Sequence, residues 1–123
     1  METWKDIIGY EGLYQISNTG KVRSLDRWAR CGKYGKSFWK GKELKAGLSS
    51  NGYYSVSLGK ESKFKSYLVH RLVALHFVNG YKNGMEVNHI DLSKTNNHSS
   101  NLEWVTPSYN TKHGWKKRYN NAV

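Results

Sequence analysis

The stretch that decides the fold is residues 85–118, which read MEVNHIDLSKTNNHSSNLEWVTPSYNTKHGWKKR. A short β-prone run carries Asn88 and His89, a loop rich in Asn and Ser follows, and the strand-like run LEWV comes after the loop. Thr106 and Pro107 come next. Because Thr is a good N-cap and Pro is tolerated at the first helical position, this pair predicts the start of a helix. The sequence therefore predicts a strand, a loop, a second strand and a helix.

Polar side chains of this unit are expected to gather between its first strand and its helix. Asn110 and His113 are three residues apart, so they share one helix face and can point toward the strand that carries Asn88 and His89. Cleavage of a phosphodiester needs a base for the attacking water and a cation where negative charge builds up. Histidine suits the base, and oxygen ligands suit a hard cation such as Mg²⁺.

The candidate site residues are His89, Asn101, Asn88, Asn110, Asp91 and His113. In a nuclease interpretation, His89 is the base and Asn101 fixes its ring through a side-chain or backbone carbonyl. Asn88 and Asn110 offer carbonyl oxygens to the cation, and Asp91 and His113 are secondary contributors. A loop of this composition is also typical of a turn network in which side chains cap the backbone. Spacing alone leaves both interpretations open.

The composition favours a polyanionic partner. Among 123 residues, 20 Lys and Arg oppose 9 Asp and Glu, which gives a net charge of +11. Such an excess favours nucleic acid first and an acidic membrane second. No apolar run reaches the roughly 18 residues of a membrane span, and no signal peptide opens the chain. We therefore expect a soluble, cytoplasmic protein without a membrane partner, and a monomer because no dimerisation stripe is visible.

The N-terminal half is predicted to consist of short antiparallel β elements. Residues 13–25 read as two alternating runs around the turn Asn18-Thr19-Gly20, which predicts a hairpin. A second hairpin is predicted from the β-prone runs 53–58 and 64–69, joined by residues 59–62. An amphipathic helix follows over residues 69–78, and its two histidines are expected to be packing or helix-end residues.

Residues 26–52 combine basic and aromatic side chains with several glycines, so loops and one short strand pair are expected. This mixture suits phosphate contact and insertion into a groove, although a solvated loop with inward-folded aromatics has the same composition. The single cysteine, Cys31, excludes an intramolecular disulfide and a cysteine-based zinc site. The candidate DNA-binding residues are Lys21, Arg23, Arg27, Arg30, Lys33, Lys36, Lys40, Lys42, Lys112 and Lys116.

Three segments resemble parts of known nucleases. VNHIDLSKTNNHSSNLEWVTPSYN, residues 87–110, resembles the HNH endonuclease motif of phage and intron-encoded homing endonucleases, and VHRLVA, residues 69–74, resembles the helix before it. Residues 4–25 resemble the nuclease-associated modular DNA-binding motif that often opens these proteins. The resemblance implies an α+β fold, with small N-terminal antiparallel hairpins in residues 1–52. A ββα-metal unit, preceded by the second hairpin and helix, is implied in residues 53–123.

The resemblance also implies residue roles and one divalent ion, Mg²⁺ first and Mn²⁺ as the alternative. His89 matches the general base, Asn101 the residue that orients it, and Asn110 the metal ligand on the helix. Asn88 matches the first-strand ligand, a position that is usually Asp or His. A neutral amide binds Mg²⁺ more weakly than a carboxylate, so this departure bears on metal affinity.

The resulting expectation is a metal-dependent endonuclease that nicks or cleaves duplex DNA, encoded by a phage in a bacterial host. Two alternatives are a DNA-binding protein with a weakened or inactive site and, on charge and aromatics alone, an RNA-binding module. Relatives of this type commonly carry a C-terminal helix-turn-helix module. Because the chain ends soon after the catalytic helix, we expect a looser sequence preference and a steep salt dependence of binding.

Overall fold

The computed structural model describes residues 2–30 and 35–110. Within this part of the chain, short antiparallel strands predominate and helices are few, which confirms the predicted α+β class. The first sheet has four strands, which are β1 (Trp4–Asp6), β2 (Tyr14–Ser17), β3 (Val22–Ser24) and β6 (Glu43–Leu44). They are hydrogen-bonded in that order, and the N-terminal hairpin predicted over residues 13–25 forms the centre of the sheet.

Residues 26–52 contain the predicted short strand pair. β4 (Arg27–Arg30) and β5 (Lys36–Trp39) form a two-stranded ribbon in which Trp28 pairs with Phe38. The rings of these two residues lie 5.4 Å apart. The ribbon is a separate sheet, so the chain leaves the first sheet after β3 and returns to it in β6.

The second hairpin forms with a tighter turn than the sequence predicted. β7 (Gly47–Leu48), β8 (Tyr54–Lys60) and β9 (Lys63–Leu68) make a three-stranded sheet. Only Glu61 and Ser62 connect β8 to β9, with φ angles of 53° and 63°. Two consecutive left-handed residues give a turn whose twist matches that of the strands, so pairing continues through residues 59 and 60.

The predicted helix is α1 (Val69–Phe77), and it lies at the centre of one hydrophobic core. His76, near its end, ties the helix to the N-terminal segment, because Nε2 accepts from Ile8 N at 3.0 Å and Nδ1 lies 2.7 Å from Leu72 O. The buried core residues come from both halves of the chain: Ile7, Tyr14, Ile16, Val22, Val56, Leu58, Val69, Leu72, Val73 and Leu102. The domain boundary at residue 52 stays a prediction, and the core crosses it.

The strand–loop–strand–helix unit forms as the sequence predicted. β10 (Glu86–His89) and β11 (Leu102–Val105) are antiparallel, and a 3₁₀ turn (Ser99–Asn101) precedes β11. Residues 107–110 are helical, and the Thr106 side chain accepts a hydrogen bond from Tyr109 N at 3.2 Å. This contact confirms Thr106 as the N-cap. The predicted continuation of this helix beyond residue 110 lies outside the described residues.

The turn of the N-terminal hairpin packs on the loop between β10 and β11. Ser99 N donates to Asn18 O at 2.7 Å. Gly20 has a φ of +98°, and a Cβ placed on it would lie 2.9 Å from the Cβ of Asn97. The fold therefore needs glycine here twice, for the backbone conformation and for the close approach. In the part of the chain described, no helix is long and apolar enough to cross a bilayer.

Candidate active site

An ionised Asp91 organises the loop between β10 and β11. Its Oδ1 accepts from Ser93 N at 2.8 Å and from Asn101 Nδ2 at 2.9 Å, while Oδ2 accepts from Asn96 Nδ2 at 2.8 Å. The Asn96 side chain, followed by the Ser93 backbone, lowers the pKa of the Asp91 carboxyl below its ordinary value. Both carboxylate oxygens thus bind the loop itself, which gives Asp91 a loop-forming role. Its secondary contribution at the metal stays a prediction.

His89 ends β10 as a buried side chain with a defined ring orientation. Its Nε2 lies 2.9 Å from Oδ1 of Asn97, which is also buried. An amide oxygen only accepts, so Nε2 carries the ring hydrogen and Nδ1 of the neutral ring keeps its lone pair. The geometry therefore leaves Nδ1 as the basic atom of His89.

Asn101 was predicted to orient His89, but in the structure the side chain of Asn97 makes the hydrogen bond to the His89 ring. The Asn101 side chain accepts from Asp91 N at 3.0 Å and donates to Asp91 Oδ1 and Asn96 O. Its backbone carbonyl accepts from Ile90 N at 2.8 Å. These contacts close the loop behind His89. Asn101 therefore supports the loop that carries Asn97, and its link to the His89 ring is indirect, through that loop.

Two further rings pack on His89. The centroid of the His70 ring is 5.0 Å from that of His89 and 4.9 Å from that of Tyr53, and Tyr53 stacks on His89 at 5.9 Å. His70 is 8% exposed, and its Nδ1 is buried without a hydrogen-bond partner among the described residues. Burial first, then the charges of His89 and Arg71, lowers the pKa of His70 to about 4. His70 is the packing residue that the sequence predicted, and it packs on the candidate base.

The candidate metal ligands lie on the other face of the hairpin. Successive strand residues point to opposite faces, so Asn88 and its register partner Glu103 are on the face opposite to His89 and Leu102. Asn88 Nδ2 donates to Glu103 Oε1 at 2.8 Å, and Asn110 Nδ2 donates to Glu86 Oε2 at 2.9 Å. The single cluster of His and Asn side chains that the sequence predicted is therefore divided between the two faces.

The donor set on this second face fits a hard divalent cation. Asn88 and Asn110 carry amide oxygens, and their partners Glu103 and Glu86 carry carboxylates, which are ligands that Mg²⁺ and Mn²⁺ prefer. Among the residues that the structure describes, no group of three or more His, Cys, Asp or Glu side chains is arranged to hold a metal ion. The remaining predicted contributor, His113, lies outside the described residues.

The predicted DNA-binding residues differ in how they are held. Lys21, Lys36, Lys40 and Lys42 are exposed. Arg23 is fixed, because its guanidinium donates to Gln15 Oε1 through Nε and Nη2 and lies 4.1 Å from the centre of the Trp4 ring. The Arg27 guanidinium is 5.9 Å from the centre of the Tyr14 ring. Outside the description are the Arg30 side chain and Lys33, Lys112 and Lys116.

The β4–β5 ribbon exposes aromatic side chains next to basic ones. Trp28 is 68% exposed, Trp39 is 55% exposed and Phe38 is 51% exposed. The sequence left open whether these aromatics fold back on the core. In the structure they face solvent, so the ribbon offers aromatic surface together with Lys36 on β5.

Sequence reasoning missed four side chains of this site: Asn97, Tyr53, Glu103 and Glu86. Asn97 had no distinguishing signal among its polar neighbours, since its position depends on how the loop folds. Glu103 had one, because pairing the two predicted strands around the loop places it opposite Asn88. Tyr53 comes from a distant part of the chain, and its contact with the site is a tertiary one.

Two family models match this chain. The NUMOD4 motif model matches residues 2–59, and the HNH endonuclease model matches residues 67–112. DNA endonuclease I-HmuI of Bacillus phage SP01 is 49% identical over 107 residues, which are 87% of this chain and 54% of that protein. The prophage-derived putative HNH homing endonuclease YosQ of Bacillus subtilis strain 168 is 46% identical over 76 residues, which are 61% of this chain and 44% of that protein.

The fold has a solved counterpart. The structure described as DNA binding and cleavage by the HNH homing endonuclease I-HmuI superposes with a TM-score of 0.78 at 44% sequence identity. The match covers 94% of this chain and 59% of that chain. The chain therefore spans little more than half the length of I-HmuI, and less than half of YosQ.

Proposed function

The chain belongs to the HNH homing endonuclease family, and from this premise we propose that it is a metal-dependent endonuclease that nicks or cleaves duplex DNA. The observation that carries the proposal is the contact between His89 Nε2 and Asn97 Oδ1 at 2.9 Å. This contact fixes the tautomer that a general base needs. It occurs at the end of the first strand of a ββα unit, within the residues that the HNH model matches.

His89 accepts the proton of the attacking water through Nδ1. The imidazolium that results keeps its Nε2–H on Asn97, whose oxygen stabilises the positive ring by a charge-assisted hydrogen bond. His70 stays uncharged at neutral pH, because burial keeps its pKa at about 4. It therefore neither takes up the proton nor repels the charged His89 ring.

Asn88 and Asn110 would hold a divalent ion through their amide oxygens. The ion, when bound, neutralises charge on the phosphate and on the leaving oxygen. Asn88 and His89 are consecutive at the end of β10, so a phosphodiester bound there would be near both the base and one ligand amide. The products are a 5′-phosphate and a 3′-hydroxyl.

Duplex DNA binds mainly through phosphate contacts in this proposal. Positive charge comes from the exposed side chains of Lys21, Lys36, Lys40 and Lys42. The exposed rings of the β4–β5 ribbon supply surface for insertion into a groove. Affinity is expected to fall steeply as salt rises, since neutralised phosphates release counterions. We propose that the protein acts as a monomer, which makes nicking the default outcome.

The deciding experiment incubates supercoiled plasmid with the wild type and His89→Ala, each with Mg²⁺, with Mn²⁺ and with chelator. Relaxed or linear DNA is expected from the wild type alone and only with metal. A gel-shift control should show that His89→Ala still binds DNA within a few-fold of the wild type. Cutting by His89→Ala would show that another group is the base.

A second candidate function is a DNA-binding protein with a weakened site, and the neutral side chain at position 88 favours it. This candidate predicts a salt-sensitive gel shift without cleavage under either metal. Asn88→Asp distinguishes the two, because a carboxylate there adds a charged oxygen ligand. Activity that appears only in Asn88→Asp would identify a weakened site in the natural chain.

A further inference from the structure

In each of the two candidate metal ligands, the side-chain amide nitrogen donates a hydrogen bond to a carboxylate. Asn88 binds Glu103 across the hairpin at 2.8 Å, and Asn110 binds Glu86 between the helical turn and β10 at 2.9 Å. A carboxylate oxygen accepts hydrogen bonds, so the NH₂ group of each amide faces its carboxylate. The amide oxygens are thereby directed away from the carboxylates. Both ligands share this arrangement although they come from different elements.

The position of these carboxylates needs an electrostatic explanation. The chain has 9 acidic residues against 20 basic ones, and its proposed partner is a polyanion. Two carboxylates on the face that carries the ligand amides would repel a phosphate that approached them. Asn88 is only 4% exposed and Glu103 is half-buried, so solvent screens the charge of Glu103 less than that of the exposed Glu86. A divalent cation between carboxylate and phosphate removes the repulsion.

Resting on the proposed function, we propose that Glu103 and Glu86 are positioning residues of the metal site. Each fixes the orientation of one ligand amide, so that its oxygen and not its nitrogen is presented to the ion. Glu103 also supplies, next to Asn88, the negative charge that a carboxylate at position 88 would bring. The pair Asn88–Glu103 thus divides the two properties of an aspartate ligand, the oxygen and the charge, between two side chains.

An ordinary cross-strand pair would give the same hydrogen bond without any effect on metal binding. Such a polar pair stabilises the sheet and nothing else. The two interpretations differ in what happens to metal affinity when the charge is removed and the hydrogen bond is kept. Glu103→Gln does this, because its amide oxygen can still accept from Asn88 Nδ2.

The test titrates Mn²⁺ into the whole chain without DNA and follows the free hydrated ion by its paramagnetic resonance signal. Glu103→Gln should raise the Mn²⁺ dissociation constant about 10- to 100-fold, as is typical when the hydrogen-bond partner of a metal ligand is mutated. Glu61→Gln, which removes the same charge from the β8–β9 turn, should change it less than about twofold by the distance dependence of Coulomb interactions. Asn88→Asp in the Glu103→Gln background should restore binding.

Equal effects of Glu103→Gln and Glu61→Gln, or a wild type that does not bind Mn²⁺, would overturn the inference. If Glu103→Gln does not fold, Glu86→Gln provides a second variant. Glu86 is exposed, so we expect its substitution to be tolerated. It should weaken Mn²⁺ binding several-fold, and unchanged binding would count against the inference. Plasmid cleavage by the wild type is measured in parallel. A wild type that cuts while Glu103→Gln binds Mn²⁺ normally refutes this inference alone.

Discussion

Asn97 is the side chain on which the orientation of His89 depends most directly. Its amide oxygen fixes Nε2–H, and its Cβ touches the turn at Gly20. The two contacts use different atoms of the side chain. Substitutions at position 97 can therefore remove one contact and keep the other.

Asn97→Ala should lower the rate of DNA nicking about 10- to 100-fold, because the ring of His89 loses the acceptor that fixes its tautomer. Asn97→Asp keeps an acceptor oxygen and should stay within a few-fold of the wild type. Both variants keep the Cβ, so DNA affinity in a gel shift should not change. Unaltered nicking by Asn97→Ala would show that Asn97 does not control the base.

His70 makes the stability of the protein depend on pH. The folded state keeps its pKa at about 4, while the unfolded chain has the ordinary value of 6.5. Between these values the unfolded state binds a proton that the folded state does not. The contribution of uncharged His70 to the free energy of unfolding is therefore fully present above pH 6.5. It decreases as the pH falls toward 4, by no more than about 3 kcal/mol.

The measurement is urea unfolding of the wild type and His70→Phe from pH 7.5 to pH 4.5. The free energy of unfolding of the wild type should fall more steeply on acidification than that of His70→Phe. The difference between the two curves isolates His70, since both proteins share the other titrating groups. Parallel curves would mean that His70 titrates alike in both states.

Sequence reasoning reached the identity of several site residues but not their contacts. His89, Asn88 and Asn110 lie at the strand and helix positions that the pattern predicted, because strand pairing fixes the first two and the helical turn that begins after Thr106 fixes Asn110. Asn97 contacts His89 where Asn101 was predicted to do so, because both residues are in an irregular loop whose path is set by Asp91. Nothing in the order of polar residues along a loop determines which of them faces a ring.

At the scale of elements, local sequence rules located both hairpins, α1 and the ββα unit. Alternation, turn residues and capping act over a few residues, so one sequence is enough to find them. β1, β6 and β7 were missed, because strands of two or three residues are held by tertiary pairing and have almost no local signal. The β4–β5 ribbon was expected as a strand pair, but its exposure depends on what it packs against.

The ribbon is the element expected to affect DNA binding without affecting stability. Trp28 is 68% exposed, so Trp28→Ala removes little buried surface and should leave the melting temperature nearly unchanged. Loss of an aromatic contact with DNA should weaken binding several-fold at constant salt.

Phe64→Ala is the matched control, because Phe64 is 75% exposed and lies at the other hairpin. Fluorescence anisotropy with a labelled duplex measures both variants. Equal affinity of Trp28→Ala and the wild type would exclude Trp28 from the DNA interface.

At the scale of the whole molecule, the contact between Gly20 and Asn97 joins the N-terminal sheet to the site. Gly20→Ala introduces a Cβ 2.9 Å from the Asn97 Cβ at a φ of +98°. We expect a loss of stability of about 1–3 kcal/mol and slower nicking, because the clash displaces Asn97 and disturbs its hydrogen bond to His89.

Gly9→Ala separates the clash from the backbone strain. Gly9 has a φ of +89°, yet nothing lies within 4 Å of the position of its Cβ. This variant should lose stability from strain alone and keep the nicking rate of the wild type. Equal nicking rates for the two variants would show that the turn at Gly20 does not support the site.

The core that joins the two halves of the chain has a consequence for the ancestry of such proteins. Ile7, Tyr14 and Ile16 pack in the same cluster as Val69, Leu72 and Val73. A recombination event that exchanged residues 2–59 with a distant relative would also have to supply matching surfaces on the other side. Exchanges should therefore succeed mainly between close relatives, while the self-paired β4–β5 ribbon can diverge freely. With the role in DNA binding that we propose for the ribbon, new target preferences are expected to arise there before they arise anywhere in the shared core.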